Sequence, residues 1–162
     1  MQTVDVYIGT SLRGRASGPG RVMYIMRVKL KSGNVHESDP EAAEYDDATE
    51  SSLVLYAIRD AIARMNYACR IVIHTECNYV AAALNQHWPE EWRRNGWRNA
   101  KEKEIKNAVL WSMLLEDLEE SGHLMEAESG KHEWSEWMQW KLPFTAPLKN
   151  VFKKLAKVPQ NQ

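Results

Sequence analysis

Hydrophobic and polar residues follow a strand-like pattern through the first part of the chain. Residues 4–11 place valine and isoleucine side chains on one face of a strand, which then runs into a small polar turn. A turn rich in Gly, Pro and Ser follows at 13–21, and residues 22–38 contain two further apolar stretches separated by a Ser-Gly-Asn turn. This pattern predicts a three-stranded antiparallel meander.

The middle of the chain changes to helical spacing. Apolar residues between positions 49 and 65 recur every three or four residues, with Thr49 as a candidate N-cap and two aspartates just before it. Residues 69–76 are rich in isoleucine and valine and predict a central strand that ends at Glu76. A helix and then a buried strand are therefore expected after the meander.

The second half of the chain adds helices around a basic segment. Residues 78–88 predict a second helix that should end near Pro89. A segment rich in Trp, Arg and Lys follows, and then an amphipathic helix over 108–121 and a last short strand around 124–128. The order β-β-β-α-β-α, basic insertion, α-β-α predicts an α/β fold with one five-stranded mixed sheet flanked by helices.

The last part of the chain has a different composition. No acidic residue occurs from position 144 onwards, and four apolar residues over 148–155 face four lysines at helical spacing. We therefore predict one domain over 1–142 and a basic amphipathic tail over 143–162.

Composition limits the classes of protein that fit. The chain of 162 residues is 44% apolar, which is enough for one core, and its net charge is −1. A nucleic-acid surface would therefore be a local patch. Cys69 and Cys77 match no metal-ligand spacing and are expected to be buried free thiols. No apolar run is long enough for a leader or a membrane span, so we expect a soluble, cytoplasmic protein without membrane contact.

One segment carries a resemblance to a known family. The stretch "GWRNAKEKEIKNAVLW" and its surroundings resemble the basic protrusion of type 1 ribonuclease H, which has a G-W-K/R run followed by K-N and L-W. The matching residues are Tyr79, Trp92, Gly96, Trp97, Lys106, Asn107, Leu110 and Trp111. Weaker support comes from "GPG" at 18–20 and "HTE" at 74–76. The resemblance covers about residues 4–140 and implies the fold of that family.

The resemblance also implies an acidic metal site. In the family, four carboxylates hold two divalent metals, and a metal-activated water attacks the RNA phosphate of an RNA:DNA hybrid. Carboxylates suit this role because Mg²⁺ prefers anionic oxygen and two nearby cations must be neutralised. Each of the four family positions can therefore be compared with this sequence.

Three of these positions lack an acid in the simplest alignment. Gly9 stands where an aspartate ends the first strand, Val54 replaces the glutamate of the first helix, and Gln139 falls near the fourth acid. Asp5 cannot substitute, because four extended residues place it about 13 Å from position 9. Glu50 lies one turn before Val54 on the same helix face and is a candidate replacement.

The third position keeps its charge. Glu76 replaces the family aspartate at the end of the central strand with a side chain one methylene longer. Near the fourth position, Lys131 or His132 aligns with a family histidine, and Glu133 or Glu136 is an alternative neighbour for Gln139. The expectation is that Glu76 at most holds a metal, that no cofactor is present, and that Mg²⁺ or Mn²⁺ is needed if any activity remains.

The insertion also carries residues typical of nucleic-acid binding, because cations neutralise phosphates and indole rings pack on sugars or bases. The candidates are Thr49, Trp92, Arg93, Arg94, Trp97, Arg98, Lys101, Lys103, Lys106 and Asn107. The alternative for Thr49 and Asn107 is helix capping, and the alternative for Trp97 is a place in the core. Four glutamates within the insertion dilute its positive charge.

Three hypotheses follow for function. The first is a catalytically inactive ribonuclease H-like protein that binds an RNA:DNA hybrid or another duplex through the protrusion. The second is an active metal-dependent hybrid endoribonuclease with a rearranged site built from Glu50, Glu76 and one of Glu133 or Glu136. The third is a protein-interaction scaffold that uses the tryptophans and lysines of the C-terminal region.

Overall fold

Six strands and five helices make up the part of the chain that a computed structural model describes, residues 1–144 and Phe152. The strands are β1 (Gln2–Thr10), β2 (Ser17–Lys29), β3 (Val35–Glu37), β4 (Glu41–Thr49), β5 (Cys69–Thr75) and β6 (Leu124–Ser129). The helices are α1 (Glu50–Ala63), α2 (Asn78–Asn85), α3 (Trp88–Arg94), α4 (Ala108–Ser121) and α5 (Ser135–Lys141), and a 3₁₀ turn over Leu142–Phe144 follows α5.

The strands form one mixed sheet in the order β3-β2-β1-β5-β6. β2 pairs antiparallel with β1, β3 and β4, whereas β1, β5 and β6 run parallel. β3 and β4 pair with different ends of β2, so together they fill one position beside it. The predicted α/β fold with a mixed sheet and flanking helices is therefore confirmed, although the sheet has six strands where five were predicted.

Two details of the predicted order were wrong. The prediction had no strand at β4, whose Glu, Ala and Asp residues have low strand propensity. Pairing with β2 stabilises it, and alternation buries Ala43 and Tyr45. The second helix does not continue to Pro89, because α2 ends at Asn85 and Pro89 lies in the first turn of α3, where its missing N–H costs nothing.

Helices cover the two faces of the sheet separately. On one face, α1 packs on β1 and α4 packs on α1, in the larger core cluster that contains Val4, Val6 and Ile8. On the other face, α5 brings Met138 against Tyr7 of β1, in a second cluster that includes Met23, Ile25 and Leu142. Successive residues of β1 therefore face different helices, and Gly9 faces α5.

The remaining predictions on the fold concern cysteines, membranes and the tail. Cys69 and Cys77 are buried free thiols, as predicted. No helix among residues 1–144 is long and apolar enough to cross a membrane. The predicted basic tail helix lies mostly outside the described residues, but Phe152 is fully buried in the larger core, edge-on to the rings of Tyr24 and Tyr45.

Candidate active site

The adjacent parallel strands β1 and β5 end on the same side of the sheet, close to the start of α1. Glu76 directly follows β5, and Glu50 is the first residue of α1. Thr49 caps α1 through a reciprocal pair of hydrogen bonds with Ser52, which fixes the backbone where Glu50 begins the helix. Glu50 and Glu76, the two glutamates that we predicted from the sequence, thus lie on the same side of the sheet.

One guanidinium group joins the side chains of this site. Arg13, in the turn between β1 and β2, donates from Nη2 to Oε2 of Glu76 at 2.9 Å and to Oε1 of Gln139 at 3.0 Å. Its Nη1 lies 3.5 Å from Oε2 of Glu50. Two carboxylates and one amide oxygen therefore converge on a single positive charge.

Glu50 is held more firmly than Glu76. Its side chain is 12% exposed, and Oε1 accepts a hydrogen bond from the backbone N–H of Gly14 at 3.1 Å. Burial raises the pKa of the nearby Cys77 thiol, and the negative charge of Glu50 makes a smaller contribution in the same direction. Glu76 is 23% exposed and faces a cleft.

This cleft lies between the end of β5 and α5. Its volume is about 370 Å³, and its lining residues are Glu76, Lys131, Ser135, Glu136, Gln139 and Trp140. It therefore places Glu76 and Gln139 beside open space that a substrate can enter.

At the family's first acid position, the space next to Gly9 is already filled. A Cβ atom at Gly9 would lie 2.8 Å from Cβ and 2.9 Å from Sδ of Met138. Such distances are shorter than any real contact allows, so β1 and α5 approach this closely only because residue 9 has no side chain. The glycine at the end of β1 is thus required by packing.

The other aligned positions differ in their surroundings. Val54 is fully buried in the larger core, so its position serves packing. Asp5 is engaged elsewhere, with Oδ1 at 2.8 Å from Nε2 of His74. Glu133 does not join the site, because it accepts from Arg27 at 2.6 Å, and this hydrogen bond lowers the pKa of Glu133.

His132 faces the protein interior, on the second side of the sheet. Its Nε2 lies 2.8 Å from the carbonyl oxygen of Ile8, and its Nδ1 accepts from the backbone N–H of Trp134 at 3.1 Å. Only the neutral ring with its proton on Nε2 satisfies both bonds. Burial accordingly lowers the pKa of His132 from its usual 6.5.

The midpoint temperature of unfolding is expected to fall as the pH drops below about 6.5. Burial lowers the pKa values of His132 and His123 in the folded state. Just below pH 6.5 these histidines are therefore protonated more in the unfolded chain than in the folded one, and this difference favours unfolding. The variant His132→Gln should flatten this slope. His36→Gln, at an exposed histidine in β3, is the matched control and should follow the wild type. Equal slopes for wild type and His132→Gln in calorimetry from pH 5 to 8 would contradict the assignment.

The basic insertion presents cations beside an aromatic cleft. Tyr79, Trp88 and Trp92 stack or tilt against one another with ring centroids 6.1–6.3 Å apart. They line a cleft of about 740 Å³, whose other lining residues are Glu91, Asn95, Arg98, Asn99, Ala100 and Glu102. Tyr79 lies three positions after Glu76, so this cleft begins close to the candidate active site.

The candidate cations of the insertion differ in whether another residue of the protein already binds them. Arg93 forms an ion pair with Glu119 of α4 at 2.6 Å, and Arg98 donates to the carbonyl oxygen of Glu102 at 3.0 Å. The others are exposed at the surface, namely Arg94, Lys101, Lys103 and Lys106. A phosphate backbone can therefore reach most of this charge directly.

The other four candidates have clear structural surroundings. Thr49 caps α1. Asn107 stands at the N-cap position of α4 with left-handed backbone, is buried, and makes no capping bond with its side chain. Trp97 also has positive φ and packs partly buried against the larger core, and Trp92 packs edge-on against Trp111.

The donor set at the site suits one hard cation. Among residues 1–144, no three His, Cys, Asp or Glu side chains are placed to hold a metal together. The oxygens of Glu50, Glu76 and Gln139 nevertheless surround one positive group, the guanidinium of Arg13. Mg²⁺ commonly binds through one or two carboxylates, with substrate phosphates completing its ligands. The residues present therefore fit one ion held jointly with a substrate, and not two ions held by protein alone.

Sequence reasoning did not identify Arg13 or Met138 as parts of this site. Arg13 lies in a Gly-rich turn with no motif around it, and its partners are 37 to 126 positions away. Met138 was one apolar residue among the tryptophans of a helix. Neither carries a local signal, because each acts through a contact that only the fold creates.

Comparison with known proteins places these features in a family. The family model described as RNase H matches residues 1–126. The ribonuclease H of Lachnoclostridium phytofermentans is 28% identical over 112 residues, covering 69% of this chain and 70% of that protein. The ribonuclease H of Chromobacterium violaceum is 29% identical over 121 residues, covering 75% and 76%.

Solved structures show the same fold at lower identity. LC9-RNase H1, a type 1 RNase H with the type 2 active-site motif, is similar with a TM-score of 0.67 and 18% identity, covering 84% of this chain and 68% of that one. A foamy viral protease–reverse transcriptase in complex with dsDNA is similar with a TM-score of 0.64 and 17% identity, covering 88% and 91%.

These relatives overturn one prediction from the sequence. The replacement of acids at Gly9 and Val54 suggested a protein without catalytic activity, but the relatives at 28–32% identity are named ribonuclease H. A missing acid in an alignment does not show that chemistry is lost, and in this chain Glu50, one helical turn before Val54, lies together with Glu76 at Arg13. With the family model matched over residues 1–126, the chain belongs to the ribonuclease H family.

Proposed function

We propose that this protein is a divalent-metal-dependent ribonuclease that cleaves the RNA strand of an RNA:DNA hybrid. The observation that carries the proposal is the convergence of Glu50, Glu76 and Gln139 on one positive charge at the ends of β1 and β5. The relatives named ribonuclease H support the reaction class. A foamy viral protease–reverse transcriptase of similar fold was solved with an RNA/DNA hybrid, which supports the substrate class.

The proposed site is rearranged relative to the family pattern. Glu76 keeps the acid of the central strand, Glu50 replaces the acid missing at Val54, and the Gln139 amide oxygen stands in the fourth position. A divalent ion there would act as a Lewis acid on the phosphate and lower the pKa of a water. Glu76, the more exposed glutamate, faces the cleft and accepts a hydrogen bond from Arg13.

The protrusion supplies the binding energy for the substrate. Exposed Arg94, Lys101, Lys103 and Lys106 neutralise backbone phosphates, while the cleft at Tyr79, Trp88 and Trp92 offers flat surfaces to sugars. Tyr79 begins this surface three residues after Glu76, so the surface that would hold the duplex starts close to the glutamates. The binding is expected to weaken steeply with salt.

Cleavage of end-labelled substrates on a denaturing gel tests the proposal. With Mg²⁺ or Mn²⁺ the protein is expected to cut the RNA strand of a hybrid and to leave RNA and DNA duplexes of the same sequence intact. Excess EDTA should stop the reaction, and added metal should restore it. An intact hybrid at high protein concentration with either metal would refute the proposal, and equal cutting of the RNA duplex would refute the substrate class.

A further inference from the structure

Arg13 occupies the place where the candidate metal ligands converge. Its turn joins β1 to β2, and its guanidinium contacts Glu76 and Gln139 at 2.9 and 3.0 Å and lies 3.5 Å from Glu50. The neighbouring Gly14 N–H also binds Glu50. Residues of this turn therefore contact both Glu50 and Glu76.

A divalent ion and this guanidinium require the same oxygens. Oε2 of Glu76 and Oε1 of Gln139 both accept from one nitrogen, Nη2 of Arg13, so a cation on these two oxygens must displace that nitrogen. Two positive groups at adjacent positions also repel each other. A metal ion and Arg13 therefore cannot bind these oxygens at the same time.

Release of Arg13 is feasible because the contact is partly open to solvent. The Arg13 side chain is 43% exposed, whereas Glu50 is only 12% exposed. Ion pairs with this exposure contribute little to stability, because solvent screens their attraction and hydrates the charges when the pair opens. The arginine can leave for solvent while the carboxylates stay in place.

We propose that Arg13 is a tethered cation that competes with the divalent metal for Glu50, Glu76 and Gln139. Without metal it holds the three oxygens together, and it leaves them when the metal binds. This inference rests on the proposed function, because it takes the same oxygens as the metal ligands. It makes Arg13 a positioning residue that sets the metal concentration the enzyme needs.

Calorimetric titration with Mn²⁺ alone, without nucleic acid, tests the competition. The variant Arg13→Gln should bind Mn²⁺ roughly tenfold more tightly than the wild type, because the competing charge is gone. Arg13→Lys keeps the charge and should stay near the wild type. Arg15→Gln is the matched control, since Arg15 is exposed in the same turn and forms no ion pair among the described residues. The double variant Arg13→Gln/Glu76→Gln should lose the gain.

The outcomes separate this inference from the proposed function. Tighter Mn²⁺ binding in Arg13→Gln, with Arg15→Gln unchanged, supports the competition even if the hybrid is never cut. Equal affinity in the wild type and Arg13→Gln overturns the competition even if the hybrid is cut, and so does an absence of Mn²⁺ binding in both. Unfolding temperatures of all variants show whether each chain is folded, and Arg13→Ala, which also removes the charge, decides the question if Arg13→Gln is not.

Discussion

The variant Glu76→Gln is expected to cut the hybrid about a thousandfold more slowly than the wild type. Glu76 supplies one of two carboxylates at the candidate site, and the amide is neutral, so a divalent cation loses much of its attraction there. Metal catalysis contributes several kcal/mol, and each 1.36 kcal/mol is a factor of ten in rate. Single-turnover rates on end-labelled hybrid at saturating Mg²⁺ measure this loss.

The matched control for this variant is Glu133→Gln. Sequence reasoning offered Glu133 as a possible ligand, but its carboxylate binds Arg27 on the second side of the sheet. Its cleavage rate should stay within about twofold of the wild type, as for a substitution that touches no reacting group. A loss in Glu133→Gln as large as that in Glu76→Gln, or a wild-type rate in Glu76→Gln, would contradict the site.

The variant Gly9→Asp is expected to lose about 3–5 kcal/mol of unfolding free energy and to gain no activity. Its Cβ would lie 2.8 Å from Cβ of Met138, an atom fixed to the backbone of α5 that cannot rotate away. Overpacking of this kind costs about 1–3 kcal/mol, and the new carboxylate enters a buried position, which adds to the cost. Urea unfolding measures the change.

Gly9→Ala separates the two causes of this loss. It introduces the Cβ clash without the charge, so it should lose about 1–3 kcal/mol. A Gly9→Asp protein as stable as the wild type, or one that cleaves faster, would show that α5 moves aside to admit an acid at the end of β1. The glycine would then have a role other than packing.

Much of this fold could be predicted from the sequence, because local patterns carry it. Alternation identified β1, and helical spacing with Thr49 identified α1 almost to the residue. β4 was missed because its acidic residues have low strand propensity, and only the pairing with β2 makes it a strand. The predicted end of the second helix at Pro89 failed because a proline also suits a first turn.

The candidate site could be predicted only in part. Glu50 and Glu76 followed from the family resemblance, Glu76 at the aligned strand end and Glu50 one helical turn before Val54, and the structure does bring both of them to Arg13. Gly9 was interpreted as a lost metal ligand, and that interpretation considered only the chemistry of the position. Met138 lies 129 positions away and decides which side chain fits there, which no local pattern shows.

The burial of Phe152 has a consequence for the order of folding during synthesis. Its ring lies edge-on to Tyr24 and Tyr45, which belong to strands made long before it. Domains begin to fold while the ribosome is still adding residues. Until residue 152 has emerged, these tyrosines lack the side chain that completes their packing. The nascent chain therefore exposes an aromatic surface near β2 and β4 until translation has passed this point.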